Sequence, residues 1–182
     1  MQIKFSEKLA KIIEYSRNEA LRTGSYGMSV DHLMLGLLRD ADNEAVSALC
    51  RLSIDPEDMK KSIDSRIFCQ TAIPYSELEN IKATRGAQNV LNMAAFEALK
   101  TGVQELSPAH LLLAICLTTG NASSEYLLAH GADRKSVAEC MRMPEGNPVR
   151  TESIKLEDIA GALAEQLSNL IDSSDKKTNT LS

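Results

Sequence analysis

Along the first half of the chain, apolar residues return at intervals of three and four. Leu9, Ile12, Ile13 and Ala20, with Ser16 among them, share one face of a helix that Ser6 can cap and Gly24 can end. Ser29 opens a second helix carrying Leu33, Met34, Leu37 and Leu38, and a third runs through Ala45, Val46, Leu49 and Leu52. Asp55-Pro56-Glu57-Asp58 sets a cap, a first-turn proline and two acids ahead of Met59, Ile63 and Ile67, which predicts a fourth. Between Cys69 and Thr84 the period lapses around Ile73-Pro74, as in a connector.

The pattern then starts again. EALRTGSYGMSVDHLML at 19–35 returns as EALKTGVQELSPAHLLL at 97–113, 78 residues on, with nine of the seventeen positions identical. Val90, Leu91 and Ala94 repeat Ile12, Ile13 and Ser16, while Leu127, Asp133 and Val137 repeat Leu49, Asp55 and Met59. Two such units can each cover an apolar face that the other cannot cover alone. The expected fold is therefore all-α, a compact pseudo-twofold bundle of eight helices within residues 1–143, with repeats over about 5–69 and about 84–142.

After Met143 the stretch PEGNP breaks the period, and 144–182 read as a linker, an amphipathic helix and the polar ending DSSDKKTNTLS. The stripe of that helix is Ile154, Leu156, Ile159, Ala160, Leu163, Leu167, Leu170 and Ile171. Such a stripe can fold back on the bundle, meet a partner or a second copy, or serve as a connection in solution, and periodicity does not separate these.

Composition adds exclusions. With 43% hydrophobic residues, 4% aromatics and no Trp, the 182-residue chain suits aliphatic helix packing and buries roughly 70% of its unfolded surface. A net charge of −5 disfavours nucleic acid as a partner. Cys50, Cys69, Cys116 and Cys140 lack metal-ligand spacing and read as buried free thiols of a reduced, cytoplasmic protein. No secretory apolar segment and no membrane-length apolar run appears. No cofactor or metal is expected.

Both repeats carry Ser-x-x-His, as Ser29 with His32 and Ser107 with His110. A capping Ser places each His at the third helical residue, and Pro108 strengthens the boundary in the second copy. No nucleophile and orienting acid recur beside the two imidazoles, so they read as structural histidines bonded between helices. The preceding residue differs, Asp31 in one copy and Ala109 in the other. Asp31 reads either as a first-turn acid gaining ~0.3–1 kcal/mol from the helix dipole, or as an exposed carboxylate for a cationic or guanidinium group of a bound polypeptide. The nine glycines include no Gly-x-x-x-x-Gly-Lys-Ser/Thr loop, so the chain is not expected to be an enzyme.

The opening FSEKLAKIIEYSRNEALRTGSYGMSVDHLMLGLLRD, together with EALKTGVQELSPAHLLLAI, resembles the Clp amino-terminal domain, the double-repeat module at the head of ClpC- and ClpA-type unfoldases. The resemblance covers about residues 5–142 and implies two four-helix repeats that dock protein substrates or adaptors of a Clp protease system and have no chemistry of their own. It also implies that an acid just before each repeated His helps to bind phosphorylated arginine, a position held by Asp31 in the first repeat and lost to Ala109 in the second. The polar ending raises the expectation of a free-standing protein, the alternative being the head of a longer unfoldase. A scaffold that associates through its last helix is the competing functional reading.

Overall fold

Where the sequence supplies a cap, a helix begins. In the computed structural model, which describes residues 3–142 and 156–178, α1 (Glu7–Thr23) starts with the Ser6 hydroxyl accepting from Leu9 N at 3.1 Å. It stops at Gly24, whose φ of 80° and closeness to Thr71 O, 2.4 Å from where a Cβ would stand, leave room for glycine alone. Then follow α2 (Val30–Arg39), α3 (Glu44–Arg51) and α4 (Pro56–Ile67), the last two capped by Asn43 and Asp55.

The second half is the first moved by 78 residues: α5 (Arg85–Lys100), α6 (Pro108–Cys116), α7 (Ala122–Ala129) and α8 (Arg134–Met141). Even the caps keep the offset, since Ser6, Ser29, Asn43 and Asp55 become Thr84, Ser107, Asn121 and Asp133. The connector is more ordered than its sequence implies, containing a 3₁₀ turn at Tyr75–Asn80.

Four two-residue strands lie outside the helical reading. β1 (Lys4–Phe5) pairs in parallel with β4 (Glu105–Leu106), and β2 (Gly27–Met28) with β3 (Lys82–Ala83). Each ladder joins one repeat to the other, so the strands serve as stitches across the pseudo-twofold axis. Two residues are too few to leave an alternating pattern in the sequence.

The core is aliphatic throughout and is shared by the two halves. Its tightest point is Gly36 on α2, where an added Cβ would stand 2.1 Å from Ser16 Oγ and 2.7 Å from Ile12 O. In the second repeat Ala94 and Ala114 fill the corresponding places. The acid of the repeated Glu-Ala-Leu is buried and paired in both halves: Glu19 with Arg22 at 2.6 Å and Arg39 at 3.4 Å, Glu97 with Lys100 at 3.1 Å and Arg134 at 2.5 Å. Burial alone would raise the Glu97 carboxyl, but the bonds from Arg134 and Lys100 outweigh it and hold the group below its ordinary value.

The last helix, α9 (Leu156–Thr178), folds back on α1, α5 and β1 through buried Ile159, Leu163, Leu167 and Ile171. It continues past the stripe into residues read from the sequence as a polar tail. Ile154 and the linker residues 143–155 lie outside the described residues. Two of the four thiols correct the expectation of burial, because Cys50 and Cys69 are exposed, on the outer side of α3 and in the connector. Cys116 is largely buried, which pushes its thiol up to about 12. Among the described residues no helix is long and apolar enough to cross a membrane.

Candidate functional site

His32 stands at the third position of α2 and ties it to α1. Its Nδ1 accepts from Ser29 N at 2.9 Å, so Nε2 carries the hydrogen and meets Thr23 Oγ1 at 2.7 Å; the Thr23 hydroxyl donates onward to Glu19 O at 2.9 Å. Burial lowers the imidazole to about 4, which leaves it neutral and part of the scaffold near neutral pH. His110 repeats the first half of this arrangement, Nδ1 accepting from Ser107 N at 3.1 Å. It lacks the second: the hydroxyl of Thr101, the residue in the place of Thr23, donates to Ala98 O at 2.8 Å and makes no bond to Nε2. Buried His110 Nε2 thus has no partner among the described residues, and burial lowers this imidazole too.

Of the two readings of Asp31, first-turn acid of α2 or exposed carboxylate, its position agrees with the first and its burial does not agree with the second. It is 7% exposed and turned toward the other repeat, where Oδ1 accepts from Ser123 N at 2.8 Å and Ser123 Oγ at 2.6 Å, and Oδ2 from Ala122 N at 3.3 Å. One carboxylate thus lies at the starts of two facing helices, as a first-turn acid of α2 and as acceptor for the unpaired amides of α7. The pseudo-twofold counterpart of this pair, at the same offset, is Ala109 with Ala45, both buried and apolar. The change is therefore coupled, with Asp and Ser together in one half and Ala and Ala together in the other.

At the second junction the carboxylate comes from Glu44, the first residue of α3, whose Oε1 faces Ala109 N at 3.4 Å across the start of α6. There the surface opens into a cleft of about 310 Å³ lined by Ser6, Lys8, Glu44, Glu105, Ser107 and His110, among others. Lys8 is held by Asp42, its Nζ donating to Asp42 O at 2.6 Å. The residues at the corresponding positions beside α2 are Thr84, Gly86, Ala122, Gly27, Ser29 and His32. One side is thus charged and open, while on the other small residues replace the charges and Asp31 is satisfied inside the protein. Lys8, Glu44, Glu105 and Ser123 were not singled out in the sequence, although placing the repeats in register shows each of them against a residue of different chemistry.

No group of three or more His, Cys, Asp or Glu among the described residues is placed to hold a metal. The model of the Clp repeat (R) N-terminal domain matches residues 4–130. The negative regulator of genetic competence ClpC/MecB of Bacillus subtilis is 29% identical over 112 residues, covering 62% of this chain and 13% of that protein. The chaperone protein ClpB of Oceanobacillus iheyensis is 26% identical over 112 residues, with the same coverage of 62% and 13%. The matched stretch thus spans only about an eighth of the length of these curated relatives. Among solved structures, the N-terminal domain of the caseinolytic protease associated chaperone ClpD from Arabidopsis thaliana superposes with a TM-score of 0.59 over 76% of this chain and 95% of that one, at 19% identity, a likeness of fold.

Proposed function

Because the chain belongs to the Clp repeat N-terminal domain family, we propose that it is a non-catalytic docking module for protein substrates or adaptors of a Clp protease system, and that the ligand enters the cleft at the start of α6. What carries this reading is the asymmetry of the two junctions. Asp31, the acid that the family pattern offers to a ligand, already accepts three bonds from α7. At the other junction Glu44 and Glu105 stand exposed beside Lys8. Two carboxylates suit a guanidinium, which they can bind through paired bonds, and a lysine at a helix start suits an attached phosphate. The site thereby takes arginine, or phosphorylated arginine, on an extended polypeptide. Asp31 contributes to it by fixing the orientation of the two repeats.

Calorimetric titration of the chain with a phosphoarginine peptide and its unmodified twin tests this. Glu44→Ala with Glu105→Ala should weaken binding about 10-fold or more, the loss of one or two charge-assisted contacts. Asp31→Ala, in so far as the protein stays folded, should leave affinity within about 3-fold. Binding abolished by Asp31→Ala and untouched by the Glu44 and Glu105 changes would place the ligand beside α2 instead.

A further inference from the structure

The seat of α9 has an apolar part and a polar part. Ile159, Leu163, Leu167 and Ile171 recur every fourth residue and are buried, while Gly161, Ala164, Glu165, Ser168, Asn169 and Asp172 are exposed. The polar part is an edge of β1. Lys4 N and Ser6 N donate toward the β4 side, to Gln104 O and Leu106 O, at 2.9 Å each. The opposite edge meets a side chain: the Gln166 amide accepts from Phe5 N at 3.3 Å and donates to Ile3 O. One glutamine thus stands in for the peptide group of a neighbouring strand and satisfies an edge that would otherwise be open.

The fit is incomplete. Between α5 and α9 lies a cavity of about 80 Å³, lined by Gln88, Leu91 and Asn92 on one side and by Ala160, Leu163 and Ala164 on the other. This pocket is open to solvent, and a longer side chain in place of an alanine would add apolar contact between the two helices. The residues that form the seat on α1, α5 and β1 fall within the match to the Clp repeat domain, apart from Ile3, and α9 falls outside it. Thirteen residues, 143–155, separate Arg142 from Leu156, a length that can reach up to ~45 Å.

We infer that the groove formed by α1, α5 and β1 is an exchangeable helix-binding site, and that two copies of the chain trade α9 across it. Each bundle then makes with its partner's α9 every contact it makes with its own, so exchange requires no new interface, and the loosely filled seat lowers the barrier to release. At low concentration the chain's own helix holds the seat, because tethering presents it at an effective concentration of ~1 mM. This inference is independent of the cleft at α6.

A labelled peptide of residues 156–178, followed by fluorescence anisotropy, tests it on the full-length chain. Leu163→Asp with Leu167→Asp in the chain disables the resident α9 and leaves the seat. This variant should take up the peptide at least about 50-fold more tightly than the wild type, whose own helix competes. A peptide carrying Gln166→Ala should bind about 5-fold more weakly, as for one lost hydrogen bond, and one carrying Ala160→Leu more tightly. Gln166→Ala in the chain is a milder second variant, expected to admit the peptide about 5-fold better than the wild type. The wild type should form a dimer in light scattering as it approaches ~1 mM. Peptide ignored by both variants while their circular dichroism stays helical, or a wild type that remains monomeric throughout that range, overturns the inference.

Discussion

Removing Asp31 should loosen the joint between the repeats rather than a ligand site. In Asp31→Ala, the Ser123 amide and hydroxyl lose an acceptor at 2.8 and 2.6 Å, and Ala122 N loses one at 3.3 Å. Charge-assisted bonds contribute ~1.5–3 kcal/mol each when their partners are buried, and an orphaned buried donor costs ~1–3 kcal/mol. These terms overlap, so a loss of ~3 kcal/mol is the central expectation, or a fall of roughly 6–12 °C in melting temperature for a chain of this size. Ser123→Ala removes the hydroxyl and keeps the backbone bonds, which should cost ~1 kcal/mol. The double variant installs side chains equivalent to Ala109 and Ala45, so its cost should fall ~1–2 kcal/mol short of the sum of the singles. Urea unfolding followed by circular dichroism gives all three numbers. Asp31→Ala within ~0.5 kcal/mol of the wild type, or strict additivity in the cycle, would refute the assignment of Asp31 to the joint.

Three further outcomes follow from the same packing. His32 goes from 6.5 in the unfolded chain to about 4 in the fold, so only the unfolded state binds its proton between those values. Its stabilisation is then complete above pH 6.5 and lost as pH falls toward 4, by up to ~3 kcal/mol; urea midpoints of wild type and His32→Gln should converge over that window, and a constant difference would contradict the burial. Gly36→Ala pushes a methyl into Ser16 Oγ and Ile12 O and should cost ~1–3 kcal/mol, partly recovered by adding Ser16→Ala, as measured by thermal unfolding. Arg134→Ala leaves buried Glu97 with Lys100 as its ion-pair partner among the described residues and should cost ~2–4 kcal/mol, with a Glu97 carboxyl that titrates higher by NMR.

The fold was legible wherever local chemistry decides it. Ser6, Ser29 and Asp55 announce helix starts, Gly24 an end, and the fixed offset of 78 announces the second half. Asn43 and Asn121 cap α3 and α7 just as firmly and recur at the same offset. The strands left no trace because two residues carry no period. The site was harder to read because Asp31 meets Ser123 across 92 residues, and nothing near Asp31 in sequence reveals a partner on α7. Comparison of the repeats was the available signal: a carboxylate on one side and an alanine on the other need compensating neighbours, and Ser123 against Ala45 is that compensation. The stripe of α9 likewise looks the same whether its partner is its own bundle or another, so its position had to come from the structure.

The division of labour between the two junctions is tested most directly by backbone amide chemical shifts of the full chain as a phosphoarginine peptide is added. Shifts concentrated at Lys8, Glu44 and the segment from Val103 to Ser107, with quiet signals at Gly86, Ala122 and from Ser25 to Ser29, are the predicted result. Equal shifts on both sides, or shifts confined to the neighbourhood of Asp31, would contradict it.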